Sequence, residues 1–258
     1  MELCALSSGS SGNCFYVGNS KNKEGILIDA GISSKRIIEK LAQINVLPDH
    51  IKGVFVTHEH SDHIKGVDVF ARSFNVPIFA TKKTLDKHSL CSNSDLLNKI
   101  TNSSSVRIAG MDIEAFSKSH LAEDPVSYSV VQNGKTASII TDLGICCNKI
   151  NTVVSDSDFL FLESNHDLTM LENGPYPAYL KAWVKGDKGH LSNFQASLCI
   201  LEHGTRKLKN VILSHISQTN NTPEIAFNTL THILKERKDL KPKIGVSCRE
   251  KPTDLFKL

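Results

Sequence analysis

Between Thr57 and His63 the chain reads Thr-His-Glu-His-Ser-Asp-His, directly after the apolar run Val54 to Val56. Four potential metal ligands, His58, His60, Asp62 and His63, fall within six positions. Neutral imidazoles and carboxylates are the usual ligands of a catalytic zinc or similar ion. A loop leaving a buried strand can aim alternate side chains at one point and keep coordination positions open. A solvent-facing polar loop would account for any one of these histidines, but not well for the cluster. The motif therefore asks for a fold with a rigid strand beneath a reactive loop.

The rest of the chain supplies such strands. Runs at Glu2 to Leu6, Cys14 to Val17 and Gly25 to Ile28 are separated by glycine, serine and asparagine, the punctuation of hairpin-connected strands. Ser33 to Ile44 then places Ile37, Ile38, Leu41 and Ile44 at helical spacing behind a capping serine. A strand at Val54 to Thr57, an apolar-periodic run to Phe74 and a strand at Pro77 to Ala80 repeat the alternation. Strands return at Ile113 to Phe116, Ser127 to Val131 and Ala137 to Ile140, with the turn signal Asn133-Gly134 between the last two. Beyond them come strands at Phe159 to Leu162 and Val211 to Leu213. Helices are expected near Tyr176 to Val184, Ser192 to Glu202 and Pro223 to Lys235. Strands followed by strands mixed with helices, twice over, predict an α/β chain of αββα order, a two-sheet β-sandwich with helices on both outer faces.

At 258 residues, 40% hydrophobic and 22% charged, the chain has ordinary globular composition and is expected to form a single domain spanning 1–258. A net charge of +3 tolerates a polyanionic partner without being the footprint of a dedicated nucleic-acid binder. Seven cysteines form no CxxC pair, and an odd count fits a reducing cytoplasm better than a disulfide framework. The opening residues lack the basic and long apolar segments of a signal peptide, and no run is long enough to span a membrane. The expectation is a cytoplasmic protein with no membrane partner; composition leaves the oligomeric state open.

The cluster at His58 to His63 is the HxHxDH signature of the metallo-β-lactamase superfamily, and the resemblance runs from the first strand to near the C-terminus. Asp29, in Ile28-Asp29-Ala30-Gly31, resembles the superfamily's first motif, a carboxylate that buttresses the metal loop. His120 in Ser117-Lys118-Ser119-His120 resembles the third-motif ligand. Asp142 in Thr141-Asp142-Leu143-Gly144 resembles the bridging aspartate, and His215 in Leu213-Ser214-His215 the final ligand. The resemblance implies two divalent metal ions, Zn2+ or Mn2+. His58, His60 and His120 would hold one, Asp62, His63 and His215 the other, with Asp142 between them. Ions ~3.5–4 Å apart in such sites activate water near neutral pH and stabilise both attacking and leaving oxygens. No cysteine stands at a ligand position, which fits hard or borderline ions.

Four further segments resemble the YycJ/WalJ family: Ser7 to Cys14, Leu162 to Asp167, Gly189 to Asn193, and His215 to Glu224. Members of that family are regarded as metal-dependent exodeoxyribonucleases acting 5′ to 3′, so the resemblance implies DNA as substrate. Two positions depart from the pattern, Leu121 after the third-motif histidine and Ser127 before Tyr128, and neither is an expected ligand. The segments also suit phosphate: a Gly/Ser loop presents N–H and hydroxyl groups, and Ser192 can cap a helix whose N-terminus favours anions. Ser8, Ser10, Asn165, His166, His190 and Asn193 are accordingly expected at the substrate. His190 is the better candidate to protonate the leaving oxygen, and Asp62 and His190 are the expected catalytic pair.

The same ions would serve thioester, lactone, β-lactam or cyclic phosphodiester hydrolysis, so a small-molecule hydrolase is the competing reading. A β-CASP nuclease is disfavoured because the interval from Asp142 to His215 is too short for that inserted domain. His50, His88, His203 and His232 are expected at the surface or in caps, and the basic run Lys235 to Lys243 as a solvated helix end. Tyr179, Leu180 and Trp183 share helical spacing and are expected in the core rather than on a base-stacking surface.

Overall fold

The computed structural model describes residues 1–258. In chain order the strands and helices are β1 (Glu2–Ser7), β2 (Cys14–Gly18), β3 (Gly25–Ile28), α1 (Ser34–Gln43), β4 (Ile51–Phe55), α2 (Ser61–Ile64), α3 (Val67–Phe74), β5 (Ile78–Thr81), α4 (Lys82–Lys87), β6 (Leu97–Ile100), β7 (Ser105–Ile108), β8 (Met111–Ser117) and β9 (Val126–Gln132). There follow β10 (Lys135–Ile140), α5 (Asn148–Asp156), β11 (Phe159–Glu163), α6 (Leu168–Asn173), α7 (Ala178–Lys185), α8 (Asn193–His203), β12 (Asn210–Ser214), α9 (Pro223–Ile233), β13 (Lys243–Val246) and β14 (Phe256–Lys257). The strands form two mixed sheets, as the α/β reading requires. Within the chain two compact units can be distinguished. The first comprises residues 1–117, 122–134 and 248–258, and the second residues 118–121 and 135–247.

In the first unit a sheet runs in the order β14-β1-β2-β3-β4-β5-β6. The hairpins β1–β2 and β2–β3 are antiparallel, and β3–β4, β4–β5 and β5–β6 are parallel. Parallel neighbours need crossovers, and α1, α3 and α4 lie on the three of them. Helix α1 starts where the Ser33 side chain accepts the Arg36 N–H, and it buries Ile37 and Leu41 against the sheet. Helix α3 ends at Asn75, whose left-handed conformation stops it. Lys40 is buried on α1, yet its ammonium donates to the carbonyls of Leu6, Arg249 and Glu250 at 2.9, 3.1 and 2.9 Å. The cation is thereby satisfied, and it ties residues 249–250 to the sheet. Strands β7, β8 and β9 of this unit form an antiparallel meander.

The second unit carries β10, β11, β12 and β13 in parallel. Residues Phe159 to Leu162 are apolar and buried without alternation, the signature of a strand covered on both faces. Helix α8 opens with a reciprocal capping box between Ser192 and Gln195, and α9 opens with a Thr222 cap and Pro223 in its first turn. The interval from Asp142 to His215 contains only α5, β11, α6, α7, α8 and β12.

One expectation is overturned. Helix α7 buries only Val184; Tyr179 is 77% exposed and Trp183 36% exposed. The spacing is helical, but the face it defines looks outward. Periodicity identifies a stripe and cannot say which side of the helix is covered.

Candidate active site

In the first unit, β4 delivers the chain to Thr57, whose N–H and hydroxyl both donate to Asp29, at 2.8 and 2.9 Å. Asp29 follows β3, the parallel neighbour of β4, so the strand pairing itself brings carboxylate and metal loop together. The second carboxylate oxygen of Asp29 lies 2.6 Å from His63 Nδ1. A carboxylate in that position fixes the ring and turns Nε2 away from it, a common arrangement behind histidines that can bind metal. Thr57 Oγ1 is 2.9 Å from His58 Nδ1, and His58 Nε2 lies 3.0 Å from His60 Nδ1. Two imidazole nitrogens on one tetrahedral zinc would stand about 3.3 Å apart at ordinary bond lengths, so this pair fits a shared ion. Asn13 reaches Asp62 Oδ2 at 3.3 Å and His63 Nε2 at 3.1 Å, and its own N–H donates to the Asp62 carbonyl. Gly31 makes this approach possible: a Cβ there would sit 1.7 Å from the Asp62 carbonyl oxygen.

The second unit holds the remaining expected ligands. The short segment Lys118–Leu121 is pinned by the loop before His190. Ser119 Oγ donates to the Asp187 carbonyl, the Leu121 N–H to Lys188, and His120 Nδ1 lies 3.1 Å from the Gly189 carbonyl. Donation from Nδ1 leaves Nε2 of His120 as the nitrogen that could accept a cation. Burial pulls the His120 pKa down to about 4, so the ring is neutral and able to bind a cation at physiological pH. Asp142 Oδ1 lies 3.8 Å from His120 Nε2, 3.8 Å from His190 Nδ1 and 3.7 Å from His215 Nε2. One carboxylate oxygen thus faces three imidazoles.

Glu163, the last residue of β11 and wholly buried, was not singled out from sequence and proves central. Its Oε1 lies 2.8 Å from His190 Nδ1 and 2.7 Å from His215 Nδ1, while its Oε2 accepts the Leu143 N–H. Burial alone would raise its pKa, but the charge and hydrogen bonds of His190 and His215 outweigh that and hold it below the usual carboxylate range. Asp142, Glu163, His190 and His215 each present a ligand atom within 4.8 Å of the others. The available signal was a carboxylate closing a continuous apolar strand, the same context that marks Asp29.

Asp29, Asp142 and His215 share a backbone peculiarity, with φ of 58, 55 and 55°. Each sits where the chain turns off the end of a strand, in the left-handed region that non-glycine residues rarely adopt, though Asp and His tolerate it better than most. Such conformations cluster where structure over-determines them, at functional sites above all.

The residues expected to meet substrate fare unevenly. Ser10 is exposed, and the His190 side chain is 12% exposed. Ser8 is buried, with its hydroxyl on Asn13 Oδ1. Asn165 donates to the His215 carbonyl, and Asn193 exchanges hydrogen bonds with Ser164 and Asn221 in a buried amide network. His166 is wholly buried, with both ring nitrogens lacking a hydrogen-bond partner, and burial lowers its pKa to about 4. Ser8, Asn165 and Asn193 thus commit polar atoms to the loops around them, while the His166 nitrogens are enclosed.

Residues 8–95 match the family model described as the metallo-β-lactamase superfamily. The chain is 36% identical to exodeoxyribonuclease WalJ of Streptococcus pneumoniae serotype 2 (strain D39 / NCTC 7466), over 90% of this chain and 87% of that protein. It belongs to the YycJ/WalJ family of the metallo-β-lactamase superfamily. Exodeoxyribonuclease YycJ of Bacillus anthracis is 35% identical over 92% of this chain and 90% of its own length. Among solved structures, Zn2+-bound PqqB from Methylobacterium extorquens superposes with a TM-score of 0.74 at 14% identity, covering 99% of this chain and 100% of that one. The metallo-β-lactamase fold protein YhfI from Bacillus subtilis gives 0.73 at 11% identity, covering 98% of each chain. These two share the fold. Membership makes the chain a hydrolase of this superfamily, and no helix is long and apolar enough to cross a membrane.

Proposed function

We propose that this chain is a metal-dependent exodeoxyribonuclease that removes nucleotides from a DNA end in the 5′ to 3′ direction. The observation that carries the reading is the whole-length likeness to relatives named exodeoxyribonucleases, at 35–36% identity. By the family resemblance, His58, His60 and His120 would hold one divalent ion, zinc or manganese, Asp62, His63 and His215 would hold a second, and Asp142 would serve both. Such ions would supply an activated water and neutralise charge developing on the phosphate. The donor set supports them, since the chain positions histidine nitrogens through buried carboxylates at Asp29 and Glu163.

The chain's own groups divide the remaining work. Glu163 holds Nδ1 of His190, so Nε2 is the nitrogen free to carry a proton to the leaving 3′-oxygen. The same carboxylate orients His215, coupling the proton donor and a metal ligand through one oxygen. Ser10 offers a hydroxyl beside the loop that Asn13 ties to Asp62. The seven cysteines are all free thiols, which supports a cytoplasmic location.

The test compares end-labelled linear DNA with closed circular DNA under manganese or zinc, with Asp62→Ala as the control for contaminating nucleases. Release from linear ends alone, lost in the variant, is the expected result. Equal cleavage of circles would make the enzyme an endonuclease, and inertness to both beside rapid lactone or thioester hydrolysis would overturn the nuclease assignment.

A further inference from the structure

Helix α7 leads to the His190 loop with an aromatic face turned outward. Tyr179 and Trp183 are four residues apart and so lie on one side of the helix. Both are exposed, Tyr179 almost fully. The Trp183 ring meets the His190 ring edge-on, with centroids 5.4 Å apart and planes at 81°. Against the backbone, Gly189 allows the loop to fold onto this helix: a Cβ there would lie 2.3 Å from the Trp183 carbonyl oxygen. Trp183 therefore touches the His190 imidazole, and Tyr179 lies one turn earlier on the same side of the helix.

We propose that Trp183, with Tyr179 one turn before it, is a stacking platform for unpaired bases at the end of the strand being cut. The inference rests on the nuclease reading given above and adds the recognition surface for the substrate's bases. Three observations commit the surface to nucleobases. It abuts His190, whose place is at the scissile phosphate. Lys181, Lys185 and Lys188 flank the surface against two acids, Asp187 and the Glu172 that Lys185 pairs with at 3.0 Å, so the strip keeps one cation in excess for a polyanion. Both rings stand on one exposed side of the helix, open to a flat ligand. A base inside a duplex already has both faces covered by its neighbours, so such rings suit unpaired bases. Base–aromatic stacking is tolerant of sequence because every base has a π face, which suits an enzyme that must accept each nucleotide in turn.

Trp183 is the chain's single tryptophan, so its emission reports on this surface alone. The full chain carrying Asp62→Ala, with manganese, is titrated with a DNA bearing a short single-stranded end, and binding is followed independently by anisotropy of a labelled far end. Quenching of emission by the normal end, and its loss with the same strand made abasic over its terminal residues, is the expected result. In the otherwise native enzyme, Trp183→Ala should raise KM for that DNA about 5- to 150-fold with kcat changed far less, and Trp183→Phe should recover most of the affinity. Thermal melts of both variants guard against misfolding. Emission unmoved by DNA that demonstrably binds, or equal KM for native enzyme and Trp183→Ala, overturns the platform while leaving the nuclease reading intact. Absence of DNA binding and of DNA hydrolysis removes both.

Discussion

Glu163→Gln is the most informative single substitution, because one buried carboxylate serves both histidines and the backbone N–H groups of Leu143 and Leu191. In the native chain Oε1 faces both Nδ1 atoms, at 2.8 and 2.7 Å, and Oε2 accepts the Leu143 N–H at 2.5 Å. A glutamine of the same shape keeps one accepting oxygen and turns the other position into an NH2 donor. If its oxygen stays with the histidines, the Leu143 N–H faces a donor and is left unsatisfied; if it flips, both histidines lose their acceptor. Charge-assisted bonds contribute ~1.5–3 kcal/mol and neutral ones about half that. Relief of the buried charge offsets part of the loss, leaving a net destabilisation of about 1–3 kcal/mol. For a chain of this size that is a fall in Tm of roughly 3–10 °C. Removing an orienting partner of a metal ligand typically weakens metal affinity ~10–100-fold. The assay is competitive titration of zinc or manganese against a chromophoric chelator, alongside thermal melts with and without metal. A Glu163→Gln variant that binds metal within threefold of native and melts at the same temperature would refute the orienting role, and with it the reason for placing His190 at the leaving group.

Further expectations follow from other features. Elemental analysis should find two ions per native chain, and Asp142→Ala should lower occupancy of both positions; loss of only one would remove the shared carboxylate from the assignment. His166 has a folded pKa of about 4 against an ordinary 6.5, so the unfolded chain binds the proton first as pH falls. Its contribution is intact above pH 6.5 and drains away towards pH 4, amounting to ~3 kcal/mol. His166→Leu should flatten that part of the stability–pH curve measured by urea unfolding, and an unchanged slope would contradict it. Lys40→Met leaves three carbonyls without their donor and should cost about 2–4 kcal/mol, with faster proteolysis around Arg249 and Glu250; an unchanged cleavage pattern would show that the tether is unimportant.

Much of this was legible in the sequence, for identifiable reasons. Helix α1 follows its apolar spacing from Ser33, α8 its Ser192 cap, and β11 its unbroken Phe-Leu-Phe-Leu run. The HxHxDH loop announces itself because several ligands crowd a few consecutive positions. Glu163 shares with Asp29 the context of a carboxylate closing an apolar strand, but its partners, His190 and His215, come to it from distant parts of the chain and leave no mark beside it in sequence. Asn165, His166 and Asn193 sit in segments that resemble the family, and a motif marks a position without saying whether its polar atoms face outward. The same blindness misplaced Tyr179 and Trp183. Strands β6, β7, β13 and β14 were passed over because they are short and partly exposed, with pairing partners supplied by the rest of the sheet.

The left-handed residues at strand ends limit how this chain could be re-tooled. At Asp142 and His215 the side chain offers a donor atom, and the main chain simultaneously executes a reversal that β-branched or bulky residues resist at roughly 1–2 kcal/mol. Libraries aimed at altering metal preference would therefore find their usable alphabet at these two positions narrowed to asparagine, aspartate, histidine and glycine. His58 and His60 carry no such constraint. Directed evolution of the centre should accordingly run through the helical loop, with the strand-end positions remaining nearly fixed.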